Sequence, residues 1–311
     1  MKKLDAEGKS RWIVYAVATV LLVSLPFFTG AYLLSVAGTI LIYLALALSW
    51  DMLLRSGQIS FGIAGFFGIG GYATVLIFLN AGLNPLASIL AGGLVAGAFA
   101  LIIGAAMLQL RGMYFAIVTL ALAEIFRVII RNLPDLTGGP EGLVLPTAIF
   151  SGDSTRTFWL ILAVALIAVI ASEIFQKSRI FFALTAIRND EILARSSGID
   201  VFKYLVIVFT VTSIIQGISG GAYAQIHGFV SPEGSFSLDF ALLPMAMALF
   251  GGMHTTWGPI LGAVLLGIAS EFLKLYIPYG HLLVYGLIIV IAILLFPKGI
   301  VGTISQKMRA R

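Results

Sequence analysis

The sequence predicts an all-α fold, a polytopic bundle of about ten transmembrane helices. Three observations carry that reading. Hydrophobic residues make up 60% of the 311 positions. Charged residues reach only 11%, where a soluble domain carries roughly a quarter. The 19 Lys and Arg fall almost entirely at alternate ends of long apolar runs, the pattern that orients a chain across a bilayer with its basic loops inside. The net charge of +5 is strung along those flanks and not gathered in one patch, which argues against nucleic acid as a partner. No Cys is present, which excludes disulfides and thiolate metal sites.

A spanning helix needs about 20 mostly apolar residues. Walking the chain, such runs lie at 12–30, 31–54, 59–79, 85–110, 113–131, 158–176, 203–226, 240–253, 257–276 and 281–296. The first follows Lys2, Lys3, Lys9 and Arg11, and Thr29-Gly30-Ala31 offers a weak small-residue site. Its apolar core is longer than the roughly 7–15 residues of a secretion signal, so it reads as a retained anchor. The eighth is short and is expected to borrow residues from the loop before it. With both termini in the cytosol, 15 of the 19 cations lie inside. Arg127, Arg131, Arg156 and Lys274 remain outside. No hydrophilic stretch is long enough for a second folded unit. Residues 1–311 therefore read as one transmembrane domain with a cytosolic tail at 1–11, an outer loop at 132–157, a cytosolic loop at 177–203 and a cytosolic tail at 297–311.

Within the spans, Gly62, Gly65, Gly68 and Gly71 recur every third residue, and Gly93/Gly97 and Gly258/Gly262 are GxxxG pairs. Small residues let helix backbones approach closely in lipid, so these glycines read first as packing positions. A sharper alternative is that Gln58-Ile59-Ser60-Phe61-Gly62 begins a broken or re-entrant helix whose backbone lines a cavity. Ionisable residues within spans need partners, since a central Asp, Lys or Arg costs roughly 2.5–3.5 kcal/mol. Asp51/Arg55, Glu124/Arg127 and Glu271/Lys274 are spaced to meet on one helix face. Glu124 lies deepest and is the functional candidate among them.

Two motifs mislead. Gly68-Ile69-Gly70-Gly71-Tyr72-Ala73 matches a dinucleotide fingerprint but follows no strand and lies within a span. Gly8-Lys9-Ser10 resembles the end of a phosphate loop, with Lys3 where the first glycine is required. His227, His254 and His281 are dispersed, with no ligand spacing between them. The chain is expected to hydrolyse nothing and to bind no metal or cofactor of its own.

The loop from Lys177 to Lys203 is rich in helix formers, with Gly198 as its stop. At about 100° per residue, Arg188, Glu191 and Arg195 form one charged stripe, while Ala183, Ala186, Ile187 and Ala194 form a slim apolar side. Such a helix suits a groove on another protein. It lacks Trp and would anchor poorly as a helix lying on the membrane surface. The outer loop, with Pro134, Gly138-Gly139-Pro140, Gly142, Pro146 and Gly152, is expected to form turns. Its mixed charge fits either a docking face for a soluble partner or a plain connector.

Several segments, taken in order, resemble a known family. They are Gly57-Gln-Ile-Ser-Phe-Gly62, Arg111-Gly-Met-Tyr-Phe-Ala-Ile-Val-Thr-Leu120, Leu136-Thr-Gly-Gly139, Ala186-Ile-Arg188, Gly228-Phe-Val-Ser-Pro-Glu233 and Gly251-Gly with Trp257-Gly-Pro259. From about residue 38 to 302 the chain looks like a Liv-type permease subunit of ABC importers for branched-chain amino acids, and its long N-terminus with an added first span is more similar to the M-type member of the permease pair than to the H-type. The resemblance implies a bacterial or archaeal inner-membrane importer with a sister permease, two cytosolic ATPase subunits that hold ATP and Mg, and an extracytoplasmic binding protein. It also implies that the coupling helix lies in the cytosolic loop, on Ala186, Ile187, Arg188, Asn189, Asp190, Glu191, Ala194 and Gly198. The family's E-A-A-x-x-x-G motif is only loosely echoed by Glu191 to Gly198, one residue longer, and His254 stands where relatives often carry Gly.

Alternating access is the expected mechanism, with ATP binding moving a 186–197 helix and the bundle with it. An apolar amino acid needs a largely apolar passage with a few polar contacts. Ser60, Thr119, Glu124 and Gln216 are the candidates. Urea or short amides are the alternative cargo within the same family. An ion-coupled carrier acting alone and a scaffold without transport are the alternatives outside it.

Overall fold

The computed structural model describes residues 2–146 and 149–276, and beyond them 286, 287, 290, 294 and 299–303. The tenth expected span, 281–296, and His281 fall largely outside the described residues. The helices are α1 (Lys2–Ser24), α2 (Ala31–Leu54), α3 (Ile63–Ala81), α4 (Pro85–Met107), α5 (Met113–Arg131), α6 (Pro134–Thr137), α7 (Ser154–Lys177), α8 (Arg179–Asn189), α9 (Glu191–Ser196), α10 (Val201–His227), α11 (Pro232–Ser235), α12 (Asp239–Gly251) and α13 (Trp257–Tyr276). One antiparallel pair, β1 (Leu143–Val144) and β2 (Phe229–Val230), complements them.

Among the described residues, eight helical segments are long and apolar enough to cross a membrane: α2, α3, α4, α5, α7, α10, Pro232–Gly251 and α13. The eighth expected span does take residues from the preceding loop, since α11 and α12 together supply it. The first is shorter than expected, an apolar helix over Trp12–Phe27. It lies antiparallel to α7. Near one end Lys177 Nζ sits 5.3 Å from the Trp12 ring centroid. Near the other, Trp159 Nε1 donates to the Val23 carbonyl at 3.2 Å. Tyr15 stacks on Trp257 with centroids 4.7 Å apart and donates to Glu173 Oε1 at 2.9 Å.

Polar residues set the helix ends. Asn84 accepts from Leu86 N before Pro85 opens α4, Asp153 accepts from Thr155 and Arg156 N before α7, and Asp200 accepts from Lys203 N before α10. Each satisfies donors that a first turn leaves free.

α2 forms the central post, buried without interruption from Leu44 to Ser56 and packed against α7, α10, α12 and α13. Beside it α3, α4 and α10 meet backbone to backbone. A Cβ on Gly70 would collide with Gly217, and one on Gly220 with the Phe67 carbonyl. Gly92 abuts Thr74, and Gly93 abuts Ile218. The three-residue glycine series of α3 is distributed among partners. Gly62 and Gly65 lie against Thr119 and Ala123 of α5, Gly68 against the Phe236 ring, and Gly71 against Gly220. Gly258 and Gly262 lie against the α12 backbone at Gly252 and Met247.

Loops gather at two ends. At one end the segments 55–62, 108–112 and 178–200 touch one another, and beside them the 252–256 turn bonds to Asp51, Ser172 and Gln176. At the other, β1 of the 132–153 loop pairs with β2, and Arg131 lies 3.7 Å from Glu233. The loop expected on the outer side is more structured than a run of turns, holding α6, two 3-10 turns and β1.

Candidate functional site

The segment 178–200 holds two helices where one was expected across 186–197. Asp190 ends α8 and caps α9, its side chain accepting from Leu193 N at 3.0 Å. Asp is a poor interior residue and a strong N-cap, so the chain breaks there. Gly198, at φ +83°, follows α9.

The slim apolar side expected to enter a partner's groove faces inward instead. Ala183, Ile187 and Ala194 are buried with Leu184, and Ala186 is half-buried. What α9 exposes is Ile192 at 80% and Leu193 at 64%, with Phe182 exposed on α8. Reading the Asn189-Asp190-Glu191 cap would have restarted the periodicity and revealed that face.

Glu191 is held at the start of α9 by two guanidinium groups. Its Oε2 accepts from Arg111 Nε at 2.7 Å, and its Oε1 accepts from Arg111 Nη2 at 3.1 Å and Arg195 Nη2 at 2.7 Å. The hydrogen bond from Arg111 is the chief reason its carboxyl lies below the usual range. Arg111 Nη1 donates to the Leu108 carbonyl and, at 3.2 Å, to that of Leu110. Nearby, Arg188 is half-buried over Gly57, whose φ of +84° and bare Cα let the arginine stem pass. Gly57, Arg111, Arg188 and Glu191, with Ser56, Gln58, Asn189 and Asp190, line a cavity of about 280 Å³. Gln58 donates to the Leu110 carbonyl at 3.2 Å.

Behind this face lies a buried charge cluster. Arg55 and Asp51, both fully buried, pair at 2.8 Å. Arg55 also donates to Ser172 Oγ, and its guanidinium carbon sits 5.8 Å from both the Phe175 and Phe181 rings. Asp51 accepts the His254 backbone N–H at 2.5 Å. Ser172, Thr256 and Gln176 continue the chain of hydrogen bonds. The cluster ties α2, α7, α8 and the 252–256 turn into one unit. His254 itself has φ +65° and a side-chain pKa lowered to about 4, by burial first and then by Arg188 and Arg55.

Of the four passage candidates, Ser60 and Thr119 meet beside Gly62. Thr119 accepts the Phe61 N–H at 3.0 Å, and Ser60 Oγ accepts the Gly62 N–H while its carbonyl accepts from Trp50 Nε1. Gln216 donates to Ser49 Oγ at 3.2 Å. All three are buried; Ser60 and Thr119 serve the non-helical stretch 58–62, and Gln216 joins α10 to α2. The expected start of the third span at residue 59 fails for this reason: α3 begins only at Ile63. Glu124 is elsewhere, more than half exposed and paired with Arg127. Its face of α5 carries Met113, Tyr114, Ile117, Leu120, Ile125 and Val128, all exposed.

A family model described as the branched-chain amino acid transport system permease component matches residues 32–293. The chain belongs to this permease family. The LivM permease protein of the high-affinity branched-chain amino acid transport system of Escherichia coli K12 is 30% identical, over 93% of this chain and 75% of that protein. LivH of the same strain is 25% identical over 56% of this chain and 60% of its own length. A probable LivM of Methanocaldococcus jannaschii is 27% identical over 68% and 66%. The M-type resemblance of the sequence agrees with that ordering. The permease is thus an integral membrane transport subunit, not an enzyme, and one that works with partner subunits.

Proposed function

We propose that this permease is the membrane subunit of an ATP-driven importer of branched-chain or related small amino acids. It pairs with a sister permease, receives cargo from an extracytoplasmic binding protein, and is driven by two cytosolic ATPase subunits that hold ATP and Mg. It sits in a bacterial or archaeal cytoplasmic membrane with both termini cytosolic. The observation that carries this reading is the exposed Ile192–Leu193 pair, flanked by Arg195 on a basic loop that projects from one end of the bundle. Two large apolar side chains in an aqueous loop call for a protein partner. Arg188, Asn189, Asp190 and Glu191 shape the loop around them, while Ala186, Ile187 and Ala194 seat it on the bundle and Gly198 ends α9.

The α5 face supports the second half of the proposal. An exposed Glu124–Arg127 pair amid apolar residues is unfavourable against lipid. A sister permease covering that face would place Glu124 beside a shared passage. Ser60, Thr119 and Gln216 then shape the passage by holding helices and not by touching cargo.

The test is reconstitution of the whole transporter with Ile192→Ser and Leu193→Ser. Loss of co-purifying ATPase and of ATP-dependent uptake is expected. Full assembly and uptake would refute the docking face. Uptake by the permease alone along a proton or sodium gradient would favour the carrier reading, and a binding protein that prefers urea or short amides would change the cargo.

A further inference from the structure

The Arg111–Glu191 pair joins two loops that share no other hydrogen bond or ion pair among the described residues. One is the 108–112 turn, which ends α4 and starts α5. The other is the α8–α9 segment, which packs against α7 and α10 and touches the 55–57 turn through Phe181 and Arg188. Every nitrogen of the Arg111 guanidinium is engaged: Nε and Nη2 on Glu191, Nη1 on the carbonyls of Leu108 and Leu110. A planar fork bonded on both sides transmits displacement better than a single flexible contact. Gly112, at φ +55°, then leads directly into α5. Beyond that turn α5 rests on α3 through Gly62 and Gly65 against Thr119 and Ala123, and through the edge of the Phe66 ring on Phe126. A helix seated by one face and exposed on the other can tilt when its end is drawn.

We propose that Arg111 and Glu191 form a strap that passes the movement of α9 to the first turn of α5, making Arg111 a positioning residue for transport. The strap rests on the reading of α8–α9 as the ATPase-facing segment and says what that segment pulls. Arg195, on the outer side of Glu191, holds the carboxylate in place. The strap stays closed through the cycle, so a permanent link in its place preserves function. This separates a strap from a gate, which must open.

The chain's lack of cysteine allows a direct test. Arg111→Cys with Glu191→Cys, in the assembled transporter with its ATPases and binding protein, is measured before and after linking by a short bismaleimide. Unlinked, uptake per ATP hydrolysed is expected to fall about fivefold or more, the size of a typical coupling free energy. Linked, it returns to near the unsubstituted value. The charge swap Arg111→Glu with Glu191→Arg is expected to recover most of what Arg111→Glu loses. Three results would overturn the strap: unchanged coupling in Arg111→Gln, loss that linking deepens, or a swap no better than its single variant. The docking reading fails separately, if Ile192→Ser and Leu193→Ser leave the ATPases bound.

Discussion

His254 combines two burdens in one residue: a left-handed backbone and an imidazole half-buried near Arg188 and Arg55. An unfolded histidine takes up its proton near pH 6.5, the folded one only near pH 4. Between those values the unfolded chain binds more protons, so stability falls as pH drops from about 6.5 to 4 and levels off below. His254→Asn, which tolerates the same backbone region, is expected to lose less stability between pH 7 and 5 than the parent. Thermal unfolding in detergent across that range checks it, and parallel curves would count against the account. Asp51 and Arg55 illustrate the same scale differently. Their spacing of four was visible in the sequence, but the two aromatic rings around Arg55 come from α7 and α8, more than a hundred residues away.

Among the elements, neighbouring glycines of α3 make the sharpest contrast. Gly70 faces Gly217 with no room for a methyl group, while the nearest atom to a Cβ on Gly71 is the Gly220 carbonyl at 3.2 Å. Both substitutions to Ala gain the same helix propensity. Gly70→Ala is expected to destabilise by about 1–3 kcal/mol through overpacking, and Gly71→Ala by clearly less. Unfolding midpoints in mixed detergent read the difference. The helix inventory was legible because span length and charge flanks are local properties. The break at Asp190 was legible too, as a cap, but the surrounding Ala, Ile, Leu and Arg favoured one continuous helix. The Glu124 depth could be counted along α5. Its outward face needed the burial of Phe115, Thr119, Leu122 and Phe126 on the opposite side. Arg111 and Glu191 stand 80 positions apart, and nothing local in either loop announces the other.

For the whole molecule, the two-ended arrangement of loops predicts which positions each aqueous phase reaches. The parent has no cysteine, so each introduced thiol is a unique reporter on this chain. With the N-terminus cytosolic, Ser196→Cys should react with an impermeant maleimide only in inverted vesicles, and Asp135→Cys only in right-side-out cells. The reverse pattern would invert the topology, and with it the assignment of α9 to the ATPase side. The same reporters, placed at Ile117 and Val128, should become protected when the sister permease is co-expressed, if the exposed face of α5 is the shared one.

The glycine contacts among α3, α4 and α10 bring these helices so close that there is little room for them to slip. They behave as a keel. A change of shape must therefore be carried by the planking around that stiff trio, and α5, pegged to it by the rings of Phe115 and Phe126 and bare on its other face, is the plank the strap would draw.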